Sequence, residues 1–131
     1  MILRITGEQI LAMLWLEHNA FSKEFKHFCK KQKPALAGFN AIKKLLAKQF
    51  DPINPDDIIA PGKIHRVYQS QTWEIWKVEA IVQGLKPNQW PRIWFAVNGD
   101  EITFLTIGSH TENYDNNAKD RIAIERVTDL L

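Results

Sequence analysis

Four side chains in the second half of this chain have the chemistry to hold a phosphate and to move protons beside it. Arg92 opens the apolar run Arg92–Val97, and its guanidinium is a permanently charged, forked set of donors suited to phosphate oxygens. Lys77 sits within another strand-like run, sharing a face with Trp73, Ile75 and Glu79, which would carry its charge toward the middle of a sheet. His110 and Tyr114 follow a third apolar run. An imidazole exchanges protons near neutrality; a phenol ring can stack on an unpaired base or assist proton transfer. Each residue also has a plainer use. Arg92 could pair with an acid such as Glu74, and Lys77 with Glu79; His110 could cap a strand end and Tyr114 pack on a terminal helix. Lys63, His65 and Arg66, just ahead of the Lys77 run, could reach phosphate or simply solvate a loop.

Metal chemistry is not expected. Cys29 is the single cysteine, so neither an internal disulfide nor a thiolate zinc site can form. His18, His27, His65 and His110 show no close ligand spacing. A lone thiol also suits a reducing compartment. The formal net charge is +2, but the positive charge is concentrated. Between Ser22 and Phe50 lie Lys23, Lys26, Lys30, Lys31, Lys33, Lys43, Lys44 and Lys48, opposed only by Glu24. The remainder of the chain is acidic. Such a block is the footprint of a polyanion partner, unless the lysines only solvate the outer faces of two helices.

The elements that must position these groups can be read from periodicity. A chain of 131 residues fits one domain, long enough to bury a core in which most of its five Trp and seven Phe would lie. The apolar run from Ile10 to Leu16 is bracketed by Glu8 and Glu17, far short of the ~20 residues that cross a membrane. It lacks the basic start and small-residue cleavage site of a signal peptide, so a cytoplasmic protein is expected. Thr6-Gly7-Glu8-Gln9 has the form of a capping box, while Ile2–Ile5 could equally extend as a strand. Leu14–His18 reads as a strand. Phe21, Phe25 and Phe28 then line one face of a helix with lysines opposite, and Pro34 suits the first turn of a second helix carrying Phe39, Ile42, Leu45 or Leu46, and Phe50. Asp51–Ile64, with three prolines and Gly62, is a loop. Trp73–Val82, Arg92–Val97 and Glu101–Ile107 read as strands, and Asn98-Gly99 favours a tight hairpin between the last two. Asn116 or Asn117 would cap a final helix whose apolar face holds Ile122, Ala123, Val127 and Leu130. The expected fold class is α+β: two N-terminal amphipathic helices on one side of an antiparallel sheet of three to four strands, with a C-terminal helix. Residues 1–13 form an N-terminal extension and 14–131 a single domain.

That order, together with particular residues, resembles the RelE/ParE superfamily of type II toxin–antitoxin toxins. The residues that carry the resemblance are Leu14–Phe25, where a first strand runs into a helix, Trp73–Val78, Pro91–Val97, and Ile107–Tyr114 with its histidine and tyrosine. The resemblance implies a RelE-like mRNA interferase, an endoribonuclease that cuts mRNA at the ribosome without metal or cofactor, the ribose 2′-oxygen attacking the neighbouring phosphate. It implies catalytic roles for Arg92, His110, Tyr114 and Lys77, and RNA contacts from Lys63, Arg66, Lys43 and Lys44. The implied partners are a cognate antitoxin and the ribosome with its mRNA, with no membrane. Two alternatives stay open: a ParE-like binder of DNA gyrase, and a non-catalytic relative that binds RNA or antitoxin. The chain departs from the family in its 1–13 extension, in the long Gln83–Pro91 connection, and in a Ser109–Asn113 turn with little positive charge.

Overall fold

The computed structural model describes residues 3–5, 13–108 and 117–130. The described elements are β1 (Leu3–Ile5), β2 (Leu14–His18), α1 (Asn19–Lys31), α2 (Ala35–Gln49), β3 (Ile64–Gln69), β4 (Glu74–Glu79), β5 (Arg92–Asn98), β6 (Glu101–Gly108) and α3 (Asn117–Thr128). The fold is α+β. Its strands form one six-stranded sheet in the order β1-β2-β6-β5-β4-β3.

Both early helices form where aromatic periodicity places them. Phe21 and Phe39 are buried, Phe25 and Phe28 pack beside them, and Phe21, Phe25, Phe39 and Phe104 make a chain of ring contacts 4.6–5.8 Å between centroids. His18 caps α1: its Nδ1 accepts the Ala20 N–H at 3.0 Å, and its Nε2 lies 3.2 Å from Asp129. The β5–β6 hairpin turns at Gly99, whose φ of +60° is the left-handed conformation that glycine adopts without steric cost.

The sheet differs from the expected one in three ways. It has six strands rather than three or four, because Leu3–Ile5 pairs antiparallel with β2 and because Ile64–Gln69 forms an edge strand on β4. It is mixed rather than antiparallel: β2 runs parallel to β6, with Leu14 opposite Glu101 and Glu17 opposite Phe104. And the helices cover both faces. Alternation along each strand separates the two sets of apolar side chains. Val78, Ile93, Phe95, Val97 and Phe104 pack with α1 and α2, whereas Ile75, Trp94, Ala96 and Leu105 pack with Ala123 and Val127 of α3. The second apolar set would otherwise face water, and α3 removes it.

One polar cluster ties α3 to β6 and α1. β2 stops pairing at Glu17, so the later part of β6 continues past it and is flanked by α1. There the Arg126 guanidinium donates to the Leu105 carbonyl at 2.7 Å and to both oxygens of Glu24 on α1, at 2.7 and 2.9 Å. The Thr106 hydroxyl donates to the same carboxylate at 2.9 Å, and the Lys119 ammonium donates to Thr106 at 3.2 Å. Burial pushes the Glu24 carboxyl upward, but the Arg126 bonds and charge, the Thr106 hydroxyl and the Lys119 charge outweigh it and hold the group below its ordinary 4.5.

Candidate functional site

On the α3 face, the strand pleat brings together the basic side chains of three neighbouring strands. Ile64 turns into the α1/α2 core and Val67 packs against the α3 cluster, which sets His65 on the α3 face directly opposite Lys77. Lys77 in turn pairs in register with Trp94, and Glu79 with Arg92. Lys77 and Arg92 are therefore diagonal neighbours on one face, roughly 7–8 Å apart at Cα. With Arg66, Val67 and Asp120 of α3 they line an open hollow of about 440 Å³.

The cations are held rather than loose. The Lys77 ammonium is 3.5 Å from Asp120 and 5.9 Å from the centre of the Trp94 ring. Asp120 is fixed in turn by the Trp94 indole N–H, which donates to it at 2.8 Å. Arg92 lies 3.8 Å from one oxygen of Glu79, and the other oxygen is 3.2 Å from Lys63, whose ammonium sits 4.8 Å from the Trp90 ring centre. Arg66 bonds Glu74 at 3.0 Å with its guanidinium 5.8 Å from the Trp76 ring centre. The acid partners thus differ from the ones the sequence suggested: Glu79 rather than Glu74 for Arg92, and Asp120 rather than Glu79 for Lys77.

Of the predicted site residues, Arg92 and Lys77 meet at this hollow; Arg66 borders it, with its guanidinium turned to Glu74 and Trp76 on the other face of the sheet, and Lys63 reaches Arg92 through their shared Glu79. His110 and Tyr114 lie outside the described residues. The chain leaves β6 at Gly108, the register partner of Arg92. Lys43 and Lys44 are not brought to the hollow. They ride on α2, whose apolar side fills the opposite face of the sheet; Lys44 is exposed, and Lys43 is buried with its ammonium 5.0 Å from the Phe39 ring centre. Lys43 lines a wider groove of about 550 Å³ between α1 and α2, with Lys23, Lys26, Phe25, Leu36 and Cys29. That groove is larger and gathers three lysines; its carboxylate, Glu17, accepts the Ser22 hydroxyl at 2.8 Å, and unlike the hollow it has no guanidinium and no imidazole in its lining.

The sequence leaves His65, beside a Pro-Gly turn, open between reaching phosphate and solvating a loop, and gives no sign of Asp120. Asp120 becomes a site residue only once α3 is known to cross the face that Lys77 occupies. Chemically, the α3 side of the hollow offers two basic side chains, Lys77 and Arg92, each beside a carboxylate, with one imidazole next to them; the ammonium and guanidinium are donors suited to the oxygens of a phosphodiester. Among the described residues, no group of three His, Cys, Asp or Glu side chains is placed to hold a metal ion, and no helix is long and apolar enough to cross a membrane. Comparison with protein-family models, curated proteins and solved structures finds no match to the chain.

Proposed function

We propose that the protein is a RelE-like toxin of a type II toxin–antitoxin system: a metal-independent endoribonuclease that cleaves mRNA by 2′-oxygen attack, works in the cytoplasm at the ribosome, and is held in check by a cognate antitoxin. One observation carries this reading: Lys77 and Arg92, 15 positions apart in the chain, line a single phosphate-sized hollow together with His65. The order of β2, α1, α2, β4, β5, β6 and α3 is the element order on which the resemblance rests, and it supports this reading.

In the proposed reaction the attacked phosphate gains negative charge as the 2′-oxygen bonds to phosphorus. Arg92 and Lys77 lie where they oppose that charge. A preorganised donor of this kind contributes about 10²–10³ in rate. His110 and Tyr114 complete the site in this reading, as the residues that follow β6 beyond Gly108.

The test is induced expression of the wild type and of Arg92→Ala, following growth, transcript ends and the folded state by circular dichroism. Growth arrest and transcript cleavage are expected to vanish in the variant while its fold persists. Arrest and cleavage that survive the substitution would refute the proposal; DNA breaks without cleaved transcripts would move it to the gyrase-binding alternative. The pairing of both cations with acids, Arg92 with Glu79 and Lys77 with Asp120, favours a second reading, a relative that binds RNA without cutting it. Salt-sensitive RNA binding with no product would establish that one.

A further inference from the structure

We propose that His65 is the proton-transfer residue of this hollow, taking the 2′-proton as the ribose oxygen attacks the phosphate. The inference rests on the endoribonuclease reading and names a residue that reading does not require.

His65 lies on the edge strand of the sheet, exposed, and shares the α3 face with Lys77. The groups that face the hollow with it are Lys77 from β4, Arg92 from β5 and Asp120 from α3, with Arg66 beside it on its own strand. Lysine, arginine and aspartate side chains ordinarily titrate far from neutrality, whereas an imidazole exchanges protons there. Asp120 is in addition occupied by the Trp94 N–H and the Lys77 ammonium. Of the described residues lining the hollow, His65 is therefore the one fitted to pick up a proton and return it to water within a catalytic cycle. Its exposure on an edge strand leaves the ring open to both substrate and solvent.

The step balances without another reactant. The 2′-oxygen forms a bond to phosphorus while its proton passes to a nitrogen of His65. The bond from phosphorus to the 5′-oxygen breaks, the electron pair leaves on that oxygen, and water protonates it. The hydroxide so formed takes the proton back from His65. The products are a 2′,3′-cyclic phosphate and a 5′-hydroxyl.

The experiment uses the purified full chain and an end-labelled single-stranded RNA oligonucleotide, both free and seated as mRNA on the ribosome, with a 2′-deoxy version of the same oligonucleotide to measure binding without cleavage. His65→Ala is expected to lower the cleavage rate about 10²-fold or more, to leave binding of the 2′-deoxy strand unchanged, and to recover rate in added imidazole. His65→Gln, which keeps a polar side chain of similar reach, is expected to stay slow. Wild-type cleavage by either variant would overturn the assignment, as would a loss of rate that follows a loss of binding and ignores imidazole. If Arg92→Ala abolishes cleavage while His65→Ala does not, the endoribonuclease reading stands and the role of His65 falls. If the wild type leaves the RNA intact, both fall.

Discussion

Replacing Glu24 by alanine should unfasten α3 from α1. The substitution deletes a carboxylate that accepts two guanidinium bonds from Arg126, at 2.7 and 2.9 Å, and a hydroxyl bond from Thr106. Removing one partner of a fully buried ion pair costs 3–5 kcal/mol, and an exposed pair is worth 1 kcal/mol or less. The Arg126 and Glu24 side chains are 17% and 29% exposed, between those limits, so about 2–3 kcal/mol is expected. For a chain of this size that lowers Tm by roughly 6–12 °C. Urea denaturation followed by tryptophan fluorescence at neutral pH measures it. A double-mutant cycle with Arg126→Ala should return a coupling of about 1–2 kcal/mol. The pH dependence has a definite sign. Because the folded carboxyl titrates below its ordinary 4.5, its contribution is complete above that value and is lost as pH falls through the lower, folded-state value. The advantage of the wild type over Glu24→Gln should therefore be constant near neutrality and disappear in acid. A loss below about 0.5 kcal/mol, or strictly additive single variants, would refute the role given to this cluster.

Other expectations follow from single contacts. Gly38→Ala, which in an exposed helix would gain up to about 1 kcal/mol, should instead destabilise by about 1–3 kcal/mol in the same denaturation assay, because its Cβ would run into the Ile81 carbonyl oxygen. Trp94→Phe keeps the buried ring but loses the indole bond to Asp120, so a loss of about 1 kcal/mol is expected, with little change in the near-ultraviolet signature of the other tryptophans. In an RNA-cleavage assay, Lys77→Ala should lose about 10²-fold in rate and Lys44→Ala almost none, since Lys44 rides on α2 across the sheet from the hollow. Burial raises the Cys29 thiol above its ordinary value, so alkylation by iodoacetamide at pH 8 should be slower than that of free cysteine.

Much of this fold was legible because local periodicity and burial agree. The spacing of Phe21, Phe25 and Phe28, and of Phe39, Ile42 and Leu46, places both helices, and Asn98-Gly99 marks the hairpin. The edge strand β3 was not legible, because His65, Arg66 and Gln69 face water and hide the alternation that a half-buried strand displays. The place of α3 had a signal: the unbroken apolar stretch Ile93–Val97 is buried on both faces, which requires cover on each. The parallel contact of β2 with β6 joins strands far apart in the chain, and no local pattern encodes it. At the site, the types of Arg92 and Lys77 were legible, but their acid partners were not, since Asp120 arrives from an element whose face was unknown. The lysine block gave composition without direction. Its α2 members turn out to sit across the sheet from the hollow.

The central claim is that a strand of RNA lies in the hollow of Lys77 and Arg92. It is tested most directly by titrating isotope-labelled protein with a short 2′-O-methyl RNA, which cannot be cleaved, and following side-chain and amide resonances. Perturbations centred on His65, Lys77, Arg92 and Asp120, weakening as salt is raised, are the predicted result. Perturbations confined to the lysines of α1 and α2, with Arg92 and Lys77 unmoved, would contradict it.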